Sequence, residues 1–86
     1  GLFHNSSDPM LYYNKANVLS ALGRYQEAVQ EYKIAITLNP SYWKAYDNLG
    51  IALKELGKYE EALVEYDRAL ELNPKDANVY NNKAIV

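Results

Sequence analysis

The chain contains no cysteine and a single histidine, His4, among its 86 residues. The first absence removes a disulfide framework, a thiolate zinc site and a cysteine nucleophile. His4 stands in the opening stretch GLFHNSSD, which has no helical period. A Ser-His-Asp arrangement or a histidine metal site therefore has nothing to build on. No apolar run approaches the ~20 residues that cross a bilayer. The N-terminus shows neither the charged start nor the apolar core of a secretory signal. An excess of one charge is also missing: nine Lys and Arg against eleven Asp and Glu give −2. These charges are dispersed, without the basic footprint of a nucleic-acid binder or a polybasic membrane patch. No Gly-rich phosphate loop occurs. Glu27, Glu31, Glu61 and Glu65 stand at i, i+4 spacing, the pattern of a solvated helix face rather than of an acid–base pair. The absences point away from an enzyme, a metal, a cofactor, nucleic acid or a membrane, and a cytoplasmic setting fits them.

What is present is a repetition. LGRYQEAVQEYKIAITLNP ends at Pro40, and LGKYEEALVEYDRALELNP ends at Pro74, 34 residues later. Laying 9–42 over 43–76 gives fourteen identical positions, among them Tyr12/Tyr46, Asn14/Asn48, Leu19/Leu53, Gly23/Gly57, Ala28/Ala62, Tyr32/Tyr66, Ala35/Ala69 and Pro40/Pro74. A third copy opens at Ala77 and supplies Tyr80 and Asn82 on schedule. A fixed period of this length marks stacked units. The division expected is an irregular leader or vector remnant over 1–8, repeat one over 9–42, repeat two over 43–76, and a partial third repeat or capping helix over 77–86.

Each unit is expected to form two helices. Asp8 is suited to cap the first, with Pro9 at its opening position, where a missing amide donor does no harm. Tyr12, Ala16, Leu19 and Leu22 recur at helical spacing. Gly23 can take the left-handed conformation that ends a helix. The second helix runs to Leu38, because Asn39 precedes a proline and is pushed out of the helical region. The spacing predicts helices over 9–22, 25–38, 43–56, 59–72 and 77–86. Ala16/Gly50/Ala84, Ala28/Ala62 and Ala35/Ala69 mark sites of close helix approach, with tyrosines and leucines filling the space between.

These residues resemble the tetratricopeptide repeat family. Its pattern of aromatic, Leu-Gly, Ala, aromatic, Ala and Pro at fixed offsets appears as Tyr46, Leu49-Gly50, Ala62, Tyr66, Ala69 and Pro74. Lys15 and Lys83 depart from it, standing where the leucine is usual. The resemblance implies an all-α fold: a right-handed α–α superhelix, or solenoid, of stacked antiparallel helix pairs. It also implies a module that binds a partner protein or extended peptide in a concave groove lined by the first helix of each repeat. Self-association through the C-terminal helix, or membership of a longer scaffold, is the alternative.

Three asparagines in register, Asn14, Asn48 and Asn82, fall on first helices. Helices pack ~8–10 Å apart and an extended chain advances ~3.3 Å per residue. One asparagine per unit is thus spaced to hold a peptide backbone at about every third residue. It is equally placed to bridge helices within the stack, and the sequence leaves both readings open. Tyr13 and Asn17 on the first unit, and Lys44, Asp47 and Ile51 on the second, complete the candidate contact set. Trp43 either plugs the gap between units or anchors a partner. The family's two-carboxylate clamp is a poor fit. Its asparagine positions fall on Asn17 and Asn48, but its basic positions fall on Tyr13, Asn78 and Asn82, none of them charged.

Overall fold

The computed structural model describes residues 7–85, with side chains described over 7–84. Most of the leader, including His4, and Val86 lie outside the described residues. Five helices follow one another: α1 (Pro9–Ala21), α2 (Tyr25–Leu38), α3 (Trp43–Glu55), α4 (Tyr59–Leu72) and α5 (Ala77–Ile85). No strand occurs among the described residues. The bounds fall within one residue of those expected. α1 and α3 stop one residue early because Leu22 and Leu56 serve as their C-caps.

The punctuation follows from local chemistry. Asp8 accepts a hydrogen bond from the Met10 amide at 3.0 Å, and Pro9 opens α1. Gly23 and Gly57 have φ of 78° and 81°, the left-handed region. There Arg24 N donates to Leu19 O at 2.8 Å and Gly23 N to Ser20 O at 3.0 Å. Lys58 and Gly57 repeat the pair onto Leu53 and Lys54. This pair of hydrogen bonds is the Schellman closure, which satisfies carbonyls that the helix end would leave bare. At the other joint Asn39 is extended and Pro40 follows.

α1 packs on α2 and α3 on α4 within units, while α2 meets α3 and α4 meets α5 between them. The opening helices α1 and α3 also touch. The small residues sit where the helices close up: Ala16, Ala28, Ala35, Ala62 and Ala69 are all fully buried. Tyr32 and Tyr66 fill the centre of each pair and are as buried as the alanines. Burying such a ring contributes roughly 2–3 kcal/mol. Gly50 is the tightest point, since a Cβ placed there would lie 2.5 Å from Cε1 of Tyr66. Ala84, its counterpart on α5, is exposed, with no further helix among the described residues to cover it. The two lysines that depart from the leucine pattern reach across to the neighbouring helix. Lys15 Nζ lies 3.7 Å from Glu31 Oε1, and Lys83 Nζ lies 2.7 Å from Asp67 Oδ1.

Candidate partner-binding groove

The candidate contact residues are carried on the helices that open the units, α1, α3 and α5. Between α1 and α3 the structure brings three of them, Tyr13, Asn17 and Asn48, into one network. Asn48 Nδ2 donates to Tyr13 Oη at 3.1 Å and to Asn17 Oδ1 at 3.0 Å. Asn17 Oδ1 also accepts the hydroxyl of Tyr32, which faces Ser20 Oγ at 3.4 Å. Ile51 joins Asn17, Ser20, Tyr32 and Asn48 around a recess of about 220 Å³. Burial raises the Tyr32 phenol above its ordinary 10.0, with the Ser20 hydrogen bond acting the other way.

The Tyr13 ring stacks obliquely on Tyr42, centroids 4.8 Å apart, and tilts against Tyr32 at 6.1 Å. Beside this pair a larger recess of about 460 Å³ opens, with Asn14, Trp43 and Lys44 on its wall. Asn14 is exposed. Lys44 lies over the ring of the adjacent Trp43 at 5.7 Å; Trp43 is half-buried and faces the same recess as Met10 and Tyr13 of α1.

The next joint is built differently. Asn82 Nδ2 donates to Asp47 Oδ1 at 3.0 Å. Asp47 is 8% exposed, the one charged residue buried among those described. Burial raises its carboxyl above the ordinary range; the Asn82 bond opposes that rise and the charge of Asp76 adds to it. The Tyr66 phenol is pushed up to about 12, by burial first and then by the charges of Asp47 and Glu55.

The three asparagines are therefore not three equivalent free groups. Asn48 and Asn82 each bridge back to the preceding opening helix, across 35 residues in both cases. Asn14 belongs to the first such helix and stands open. Sequence reasoning missed Ser20, Tyr32 and Tyr42 as parts of the site. The signal for Tyr42 was available: Tyr13 and Tyr42 are tyrosines that the repeat does not copy, and they meet. Among the described residues no group of three His, Cys, Asp or Glu is placed to hold a metal ion, and no helix is long and apolar enough to cross a membrane.

Stacked antiparallel helix pairs with Gly-closed turns and small-residue contacts define an α–α solenoid. The TPR repeat model matches residues 16–57 and 52–86, and the chain belongs to the tetratricopeptide repeat family. No curated protein matches it. Among solved structures it is similar to the first TPR of Spaghetti (RPAP3) bound to HSP90 peptide SRMEEVD, at 34% identity and TM-score 0.92. It is similar to the Arabidopsis OM64 TPR domain at 28% identity and TM-score 0.91. A likeness to MamA, 22% identical with TM-score 0.91, shows the shared right-handed superhelical fold alone. Each match covers 94% of this chain, and the chain spans 64%, 67% and 47% of those structures respectively.

Proposed function

We propose that this protein is an interaction module that takes an extended peptide or protein segment across α1, α3 and α5. The contact residues are Tyr13, Asn14, Asn17, Lys44, Asp47, Asn48, Ile51 and Asn82. The observation that carries the reading is the run of recesses and polar side chains along α1 and α3, where Asn48, Tyr13 and Asn17 are already held in place by one another. Groups fixed in advance bind at a lower entropic cost. The repeat family is a protein-interaction fold, and the RPAP3 relative holds a peptide. The units are taken as 9–42 and 43–76, with 77–86 opening a third. The role is non-catalytic, without cofactor or nucleic acid, and cytoplasmic.

Asn14 offers the cleaner test, because it is exposed and, among the described residues, no side-chain hydrogen bond depends on it. Against a peptide selected from a random extended library, Asn14→Ala is expected to weaken binding by ~0.5–1.5 kcal/mol and leave the melting temperature unchanged. Asn48→Ala is expected to lower both. Unchanged affinity in Asn14→Ala for every selected peptide rejects the asparagine row as a contact surface.

One observation favours a second reading, self-association through α5. Tyr46 is 7% exposed, whereas its repeat counterpart Tyr80 is 53% exposed. A second copy that covers Tyr80 would restore the burial. Sedimentation at rising concentration should then show association that Tyr80→Ser reduces; a monomer throughout rejects it.

A further inference from the structure

The repeat places the same backbone positions at both joints, but their side chains differ in charge. Tyr13 and Tyr42, the ring pair of the first joint, become Asp47 and Asp76 at the second, each 34 residues on. Asp47 is nearly buried and receives a hydrogen bond from Asn82. All nine lysines and arginines are described, and none of the ion pairs among the described residues involves Asp47. Asp76 uses one oxygen to accept the Asn78 amide at 3.0 Å, while its Oδ2 is buried with no partner among the described residues. The hydroxyl of Tyr66, itself fully buried, also lacks a partner among the described residues. In repeat one the same needs are met internally: Tyr32 bonds Asn17 and faces Ser20. The counterparts of those two residues are Ile51 and Lys54, and neither bonds Tyr66.

A carboxylate taken out of water without a counter-charge is unfavourable, and a second carboxylate nearby adds to the penalty. Such a site calls for a cation that also donates hydrogen bonds. Two carboxylates fall short of the six to eight oxygens a calcium ion takes. A guanidinium or ammonium group needs no more than a carboxylate pair and neighbouring acceptors.

We infer that the second joint, between α3 and α5, is a docking pocket for a basic side chain, arginine or lysine, on the partner segment, with Asp47 as its counter-ion and Asp76 reinforcing the field. This rests on the groove-binding reading above and narrows it to a partner carrying positive charge. It also sets this groove apart from one that receives an acidic segment such as SRMEEVD.

The test is an oriented library of nine-residue peptides, in which one position at a time is fixed as Arg, Lys, Gln, Glu or Ala, panned on the intact chain. Arg or Lys should be enriched at one position. In the best peptide, replacing that Arg by citrulline, its neutral near-isostere, should weaken binding about tenfold. In Asp47→Asn the Arg-to-citrulline ratio should fall toward one; circular dichroism checks that the variant is helical. The citrulline comparison on the parent chain needs no variant to fold. Peptides that bind without a basic preference, that prefer Glu, or whose Arg-to-citrulline ratio survives Asp47→Asn overturn the pocket but leave groove binding standing. If no library member binds, the groove-binding reading falls and takes the pocket with it.

Discussion

Between α1 and α3, Asn48 reaches back to Tyr13; between α3 and α5, Asn82 reaches back to Asp47. The donor is an asparagine amide in both, the helices are successive opening helices, and the 35-residue separation is the same; the acceptor changes from a phenol to a carboxylate. Around the first acceptor the chain supplies Tyr42, Asn17 and Ser20, so the Tyr13 ring is stacked and the Tyr32 hydroxyl is bonded. Around the second it supplies Asp76, Ile51 and Lys54, and two buried polar atoms, Tyr66 Oη and Asp76 Oδ2, have no partner among the described residues. Repetition thus fixes the scaffold and one bridge per joint, while the unrepeated positions decide whether a joint is closed on itself or left in need of a ligand.

The largest expected effect is one the two units share. Ala28→Leu and Ala62→Leu each force a bulkier side chain into a fully buried contact and should destabilise by ~1–3 kcal/mol. Near-equal losses in urea unfolding mean that the scaffolds are equivalent; melting like the parent would show that these contacts are loose.

The units should then separate at Gly50. Adding a methyl there meets the buried Tyr66 ring at 2.5 Å, whereas Ala16 already carries one beside α2. Gly50→Ala should destabilise by about 1–2 kcal/mol, the overpacking exceeding the ~1 kcal/mol gain in helix propensity. A more stable variant would mean that the ring moves aside freely.

A smaller contrast tests the hydroxyls. Tyr32→Phe removes a group bonded to Asn17 and should lose ~1 kcal/mol. Tyr66→Phe removes an unpartnered one and should be neutral or slightly stabilising. Equal losses would show that Tyr66 is hydrogen-bonded in solution and the comparison fails.

The smallest effect is on pH dependence. The Asp47 carboxyl titrates above its ordinary 3.8 in the folded chain, so on raising the pH the unfolded chain gives up that proton first. Stability should therefore fall as pH rises from 3.8 through the folded value, and the penalty is lifted as pH drops back through that window. Glu65, also raised by burial, acts in the same direction. Asp47→Asn should stabilise the free chain by about 1 kcal/mol at neutral pH and flatten this part of the profile without abolishing it. A less stable variant would mean that Asp47 is already compensated.

The sequence by itself determined whatever depends on neighbours a few residues away. The 34-residue period, the Asp8-Pro9 start, the Gly23 and Gly57 closures, the Asn39-Pro40 stop and the buried alanines all follow from capping, backbone freedom and helical spacing. Each is legible along the chain itself. The candidate residues were legible as a set on the right helices, because the ~3.6 residues of a helical turn fix which face a residue joins. Their partners were not. Asn48 meets Tyr13 and Asn17, Tyr13 stacks on Tyr42, and Tyr46 is covered while Tyr80 is open. These outcomes depend on how helices far apart in the chain cross, and on whether another helix packs over them. A shift of about one ångström in that crossing makes or breaks a hydrogen bond, and a periodic sequence carries the same period either way. Tertiary packing therefore decided which atoms the row of asparagines would reach, and the unrepeated Tyr13 and Asp47 made that atom a phenol for Asn48 and a carboxylate for Asn82.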